Sequence, residues 1–181
     1  MQAPSRPVWT QRPTPLLVVG TAHSGKSEFA MQCLAPDQPA LVIGTAPPTE
    51  PAFARRLAEL EALRPGPWDS THAGTDLVAT VAEAAGRYQQ ILIDAVSQWL
   101  ALLLLSPDPE ADMSEHGRSR QLEAHVAELE RELKSHPATR FVLVTAEVGG
   151  GPAPSRNAER IYRQYVGLTN QRLARLAATV V

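Results

Sequence analysis

The chain contains, at residues 20–27, the stretch Gly20-Thr21-Ala22-His23-Ser24-Gly25-Lys26-Ser27. Its spacing is that of a phosphate-binding loop, G-x-x-x-x-G-K-[ST]. Four strand-forming residues, 16–19, precede the loop, and residues 28–34 continue it with helical spacing. In such an arrangement consecutive backbone N–H groups converge on phosphate oxygens, and the helix dipole adds partial positive charge. We therefore predict that all eight residues of the stretch contribute to a nucleotide-binding site.

Three side chains of this loop carry separate expectations. Lys26 should reach the β- and γ-phosphates, and Ser27 should bind Mg²⁺ through its hydroxyl group. His23 is expected to line the loop, with a catalytic role as the alternative. The implied cofactor is Mg²⁺ together with GTP or ATP.

Length and composition fit a single domain. A chain of 181 residues is long enough to bury a core without a second domain. We expect an extended proline-rich arm over residues 1–14 and one nucleotide-binding domain over residues 15–181. The net charge of −2 gives no electrostatic reason to expect a nucleic-acid or membrane partner.

Three features favour a cytoplasmic location. The first 15 residues contain four prolines and two arginines instead of the apolar run of a signal peptide. The most apolar run, Trp99–Leu105, is seven residues long and too short to cross a bilayer. The single cysteine, Cys33, excludes an intramolecular disulfide, and its position after the loop favours buried packing over a reactive thiol.

Apolar runs alternate with helical patterns along the rest of the chain. We predict strands at Ala40–Gly44, Ile91–Asp94, Phe141–Thr145 and Thr179–Val181. We predict helices over residues 53–63 after an N-cap at Thr49, from 75 or 76 to 88, over 121–134, and onward from an N-cap at Ser155. Prolines and a glycine predict a surface loop over residues 106–120. The alternation predicts an α/β fold: a P-loop NTPase-like, mostly parallel sheet flanked by helices.

Two carboxylates follow predicted strands. Asp94 ends a short apolar strand, as in a Walker B element, and it is expected to hold Mg²⁺ through water. The alternative is an N-cap role for a helix starting at Ala95. Glu147 follows the next strand and precedes three glycines, residues 149–151, which permit either a close backbone approach near the nucleotide or a flexible turn.

Several segments, taken in order, resemble the adenosylcobinamide kinase / adenosylcobinamide-phosphate guanylyltransferase enzymes of cobalamin biosynthesis. The pieces are the phosphate loop, Ile93-Asp94, the segment Val144–Gly149, and the stretch from Tyr162-Arg163 through Gly167 to Asn170-Gln171-Arg172-Leu173. The resemblance covers residues 16–181. It implies phosphorylation of a cobinamide hydroxyl group by ATP or GTP, then attachment of GMP through a guanylylated histidine, in a homotrimeric enzyme.

The chain departs from the pattern of this family at specific positions. With Arg56 and Trp68 as anchors, the position of the guanylylated histidine is occupied by Leu60, and no histidine occurs between these anchors. Leucine has no nucleophilic nitrogen, so the guanylyl-transfer chemistry is not carried over. Gln164 also replaces a usually acidic residue, and Ala146 replaces a common asparagine.

These observations support two functional hypotheses. The first is a kinase-like or NTP-hydrolysing enzyme that binds a purine nucleoside triphosphate and, through the resemblance, a cobinamide-like acceptor. Its catalytic residues would be Lys26, Asp94 and Glu147, of which Lys26 neutralises developing charge while the acids position the metal or the attacking hydroxyl group. The second is a non-catalytic nucleotide-binding or scaffold protein that acts through protein partners.

Overall fold

A parallel sheet forms the centre of the molecule. The computed structural model describes residues 8–45, 68–105, 114–151 and 154–181. Within these ranges the strands are β1 (Leu16–Gly20), β2 (Ala40–Gly44), β3 (Trp68–His72), β4 (Gln90–Asp94), β5 (Arg140–Ala146) and β6 (Thr179–Val180). Their order is β3-β2-β4-β5-β1-β6, and every neighbouring pair is parallel. The predicted α/β fold is confirmed, with a wholly parallel sheet.

Five α-helices occur in the same described ranges: α1 (Lys26–Gln32), α2 (Leu77–Ala85), α3 (Val96–Leu105), α4 (Glu115–Ser135) and α5 (Asn157–Leu176). None of these helices combines the length and the apolar character needed to cross a membrane. The helix predicted after Thr49, which includes Leu60, lies outside the described residues.

Several predicted boundaries are wrong. Helix α4 begins at Glu115, inside the predicted loop, because the Ser114 hydroxyl group accepts a hydrogen bond from Gly117 N at 3.0 Å and caps the helix. Ser155 is not the cap of α5, since Arg156 holds that position and makes no side-chain capping bond. Strand β3 was not predicted. Four of its five residues are exposed, so it lacks the apolar run that marks the inner strands.

The inner strands are buried on both faces. Because successive side chains point to opposite faces of the sheet, they contribute to two separate hydrophobic clusters. One face, which includes Leu17, Ile43, Ile93 and Leu143, packs against α2 to α5. The other face, which includes Val18 and other residues of β1, β2, β4 and β5, packs against α1 and the residues that follow it. Two of the helices α2 to α5 are also joined by a bidentate ion pair, in which the Arg172 guanidinium of α5 donates to the Glu130 carboxylate of α4 at 2.7 and 2.8 Å.

The described part of the N-terminal arm is docked instead of extended. Residues Val8–Gln11 form a short 3-10 helix, which corrects the expectation of an extended conformation for these four residues. The Arg140 guanidinium donates to the carbonyl oxygens of Trp9 at 3.1 Å and Arg12 at 2.8 Å. The Trp9 ring packs edge-to-face on Phe29 of α1, with centroids 4.9 Å apart. The arm therefore supports the outer side of α1.

The carboxyl ends of the strands meet at one edge of the sheet, which we call the carboxyl edge. Gly20 of β1 pairs with Ala146 of β5, and Asp94 of β4 pairs with Gly44 of β2. In open parallel sheets this edge is where ligands bind. The phosphate loop, Asp94 and Glu147 lie along it.

Candidate functional site

The phosphate loop is the turn between β1 and α1. Gly20 is the last residue of β1, and α1 begins at Lys26. Two residues in between have positive φ, His23 at 57° and Gly25 at 81°. Residues 21–25 are exposed, whereas Ser27 beneath them is only 3% exposed. The loop thus exposes residues 21–25, including His23, to solvent, and the Ser27 side chain beneath them is buried.

Lys26 is folded across the loop. Its ammonium group donates to the carbonyl oxygen of Thr21 and lies 3.5 Å from the Ser24 hydroxyl oxygen. This approach depends on Gly20, because a Cβ at that position would lie 2.7 Å from Ser24 Oγ and 3.2 Å from Lys26 Cγ. The first glycine is therefore needed for space, so that the lysine stem can pass over the end of β1.

Asp94 lies at the same edge but not beside β1, because β5 is inserted between β4 and β1. Two strand spacings place its backbone about 9.5 Å from β1. Helix α3 starts at Val96, so Ala95 directly precedes it and Asp94 lies one residue further back. Thr45 anchors this strand end: its amide donates to Asp94 O at 3.1 Å, and its hydroxyl group donates to Ala95 O at 2.7 Å.

Glu147 lies closer to the loop than Asp94 does, because it follows β5, the strand adjacent to β1. Its backbone N–H donates to the carbonyl oxygen of Gly20 at 2.9 Å. Its carboxylate accepts a hydrogen bond from the amide of Gly149, and the side chain is exposed. Glu147 therefore has an exposed carboxylate, and its backbone is hydrogen-bonded to the first residue of the phosphate loop.

Side chains from α3 and α5 hold the end of β5. Ser97 of α3 accepts a hydrogen bond from Ala146 N at 3.1 Å. Asn170 of α5 accepts from the Thr145 hydroxyl group at 2.8 Å and donates to Ala146 O at 3.0 Å. Burial raises the pKa of Tyr162, and a hydrogen bond with Ser97 partly opposes that shift. The backbone that leads into Glu147 is thus fixed by side chains on both sides.

The three glycines after Glu147 differ from one another. Gly149 makes a close approach, but to the Glu147 carboxylate: a Cβ there would lie 2.5 Å from Oε1. Gly151 has a φ of 136°, which other residues rarely adopt. Arg163 of α5 donates to the carbonyl oxygens of Gly149 and Gly151, the latter at 3.2 Å. The turn is therefore held by an arginine, which disfavours the interpretation of a merely flexible turn.

Comparison with known proteins identifies the family. Residues 16–181 match the family model CobU, cobinamide kinase / cobinamide phosphate guanyltransferase. The chain belongs to this family. It is 33% identical to the bifunctional adenosylcobalamin biosynthesis protein CobP of Pseudomonas aeruginosa over 159 residues, which cover 87% of this chain and 86% of that protein. It is 28% identical to the bifunctional adenosylcobalamin biosynthesis protein CobU of Salmonella typhimurium over 168 residues, 91% of this chain and 92% of the relative. The resemblance read from the motifs is confirmed.

The structure shows what three residues of the last family motif contact. The Tyr162-Arg163 and Asn170 positions lie on α5, and each of the three contacts the turn that carries Glu147 or its Ser97 support. Thr45 and Ser97 were not singled out from the sequence. Their only local signal is a hydroxyl group just after a strand or in the first turn of a helix. Leu60, to which the resemblance assigns the position of the guanylylated histidine, is outside the described residues.

The donor set at the carboxyl edge suits magnesium bound together with a nucleotide. Ser27 and Asp94 supply one hydroxyl group and one carboxylate, and Mg²⁺ usually keeps several waters and takes its other ligands from substrate phosphates. Groups of three or more His, Cys, Asp or Glu side chains able to hold a metal alone are absent from the described ranges. The residues present therefore fit a metal that arrives with the nucleotide.

Cys33 lies at the end of α1 and is buried. Burial raises the pKa of its thiol to about 11, with a smaller opposing effect of Arg140. Because the thiolate is the reactive form, this cysteine is a packing residue at neutral pH.

Proposed function

We propose that this chain is a kinase that binds Mg²⁺ with ATP or GTP and transfers the γ-phosphate to a hydroxyl group of a cobinamide-like acceptor. The observation that carries the proposal is the phosphate loop with Lys26 folded across it, beside a carboxylate, Glu147, whose backbone is bonded to Gly20. The relatives named above act in adenosylcobalamin biosynthesis, and this supports the choice of acceptor class.

Four residues have distinct roles in this mechanism. Lys26 exchanges its contacts with Thr21 and Ser24 for contacts with the β- and γ-phosphate oxygens, and it stabilises the negative charge that develops during transfer. Ser27 and Asp94 are the residues that would hold Mg²⁺, Asp94 through water. When bound, Mg²⁺ supplies charge neutralisation on the phosphates. Glu147 orients the acceptor hydroxyl group and accepts its proton as the phosphate ester forms and the nucleoside diphosphate leaves.

We further infer that the guanylyl-transfer step is lost. Formation of a covalent guanylyl intermediate needs a nucleophilic imidazole nitrogen, and the family position is Leu60 in this chain. The neighbouring residues, Glu59 and Glu61, would give a labile mixed anhydride and would repel the phosphates. A homotrimer in the cytoplasm, where ATP, GTP and Mg²⁺ are available, completes the proposal. The trimer rests on the family resemblance.

The test is a phosphoryl-transfer assay with the purified full chain. The protein is incubated with Mg²⁺, a cobinamide acceptor and ATP or GTP labelled at the γ-phosphate, with Lys26→Ala as the negative control and the Pseudomonas aeruginosa relative as the positive control. We expect label on the acceptor with the wild-type chain and none above background with the variant. Tight nucleotide binding without transfer would instead favour the non-catalytic scaffold hypothesis.

A further inference from the structure

The side chain of Asn170 makes two hydrogen bonds to consecutive residues of β5. It accepts from the Thr145 hydroxyl group at 2.8 Å and donates to the Ala146 carbonyl oxygen at 3.0 Å. A carboxamide is suited to this because it carries an acceptor and a donor on one planar group. An aspartate would keep the first bond and lose the second, and an alanine would lose both.

The peptide that Asn170 holds is the last one before Glu147. The N–H of this peptide, that of Glu147, donates to Gly20 O at 2.9 Å. The N–H of the preceding peptide, that of Ala146, donates to Ser97 Oγ at 3.1 Å. These three bonds fix the direction in which the chain leaves β5. The direction of the Glu147 side chain follows from that of its backbone, since its carboxylate turns back onto Gly149 N.

We propose that Asn170 is a positioning residue, which sets the orientation of the 145–149 segment and thereby aims the Glu147 carboxylate at the acceptor. The proposal rests on the proposed kinase function. Asn170 lies on α5, and within the described part of the chain its two hydrogen bonds go to Thr145 and Ala146, not to the phosphate loop or to the proposed Mg²⁺ donors Ser27 and Asp94. Its loss therefore affects the catalytic step more than nucleotide binding.

The first test separates catalysis from binding. Asn170→Ala should lower kcat by at least tenfold and change the Kd for Mg²⁺ with nucleotide by less than threefold. Gln171→Ala, an exposed neighbour on the same helix, is the matched control and should leave both values within twofold. Asn170→Asp, which keeps the bond from Thr145, should fall between wild type and Asn170→Ala.

The second test asks whether Asn170 acts through Glu147. If it does, the double variant Asn170→Ala/Glu147→Gln should be no more than twofold slower than Glu147→Gln alone, because the carboxylate to be positioned is already gone. Independent, multiplicative losses would overturn the proposal. So would an unchanged kcat in Asn170→Ala.

A third measurement does not depend on turnover. Hydrogen–deuterium exchange should accelerate at least fivefold in peptides covering residues 145–151 of Asn170→Ala, and it should be unchanged in Gln171→Ala. Should Asn170→Ala fail to fold, Thr145→Val removes one of the two bonds and should give a smaller acceleration in the same peptides. If the wild-type chain transfers no phosphate, the proposed function fails, and the exchange data still decide whether Asn170 holds this turn. Unchanged exchange in a folded variant would refute that role.

Discussion

Removal of the Lys26 ammonium group should weaken nucleotide binding by about 10- to 100-fold. At about 4 Å and an effective dielectric constant of about 20, a lysine and one phosphate charge attract by about 4 kcal/mol. In the free protein Lys26 already bonds Thr21 O and lies near Ser24 Oγ, so binding must break these contacts. Their loss offsets about 1–3 kcal/mol of the attraction. The remainder, about 1–3 kcal/mol, corresponds to roughly 5- to 160-fold in affinity and brackets the stated range.

The assay is isothermal calorimetry with Mg²⁺ and GTP or ATP, at low and moderate salt. Lys26→Ala and Lys26→Met should bind equally weakly, because the methionine restores the stem but not the charge. The chain has only one other lysine, Lys134, which is exposed near the end of α4, so Lys134→Ala is a matched charge control and should bind within twofold of wild type. Equal affinities of Lys26→Ala and wild type, or an equal loss in Lys134→Ala, would refute the reasoning.

Four further predictions concern other parts of the site. Asp94→Asn should lower the Mg²⁺-dependent part of nucleotide affinity by roughly tenfold without a change in melting temperature; identical titrations with and without Mg²⁺ would remove Asp94 from the site. Gly149→Ala should remain folded but lower kcat, because its Cβ would displace the Glu147 carboxylate; an unchanged kcat in a steady-state assay would contradict this. Incubation with GTP and Mg²⁺ should add no GMP to the protein if, as proposed, Leu60 occupies the histidine position; an intact-mass increase matching GMP would be decisive against it. Cys33, with a thiol pKa raised to about 11, should resist a thiol reagent at pH 7.4 in the native protein and react fully in denaturant; rapid native labelling would show that it is accessible.

The features that could be predicted from the sequence are those in which local chemistry and local structure coincide. The phosphate loop is one continuous stretch, and the buried strands β2, β4 and β5 are short apolar runs that need no knowledge of their neighbours. Asp94 and Glu147 could be placed at the carboxyl edge because parallel strands end on the same side.

Other features depend on tertiary context. The insertion of β5 between β4 and β1 sets how far Asp94 lies from the loop, and strand order is not encoded in any local pattern. Strand β3 has mostly polar, exposed residues because it is an edge strand, so its sequence resembles a loop. The two bonds of Asn170 join residues 24 and 25 positions apart, and only the folded chain brings them together.

The order of the strands also bears on how guanylyl transfer could be lost from this fold while phosphoryl transfer is kept. The phosphate loop follows β1, Glu147 follows β5 and Asn170 lies on α5, and hydrogen bonds join these three parts at the carboxyl edge. Leu60 belongs to the connection between β2 and β3, strands that lie on the far side of β4 from these three parts. Strand β4 separates the two sides, and at this edge Thr45, which follows β2, bonds the backbone at Asp94 and Ala95. Among the described residues, Lys26 bonds Thr21 and approaches Ser24, and Glu147 bonds Gly20 and Gly149, so these contacts come from the loop and the turn themselves. We therefore expect that replacing a histidine in the β2–β3 connection removes a nucleophile and leaves these contacts in place. The proposed kinase without guanylyl transfer therefore requires no change in the described contacts around Lys26 and Glu147.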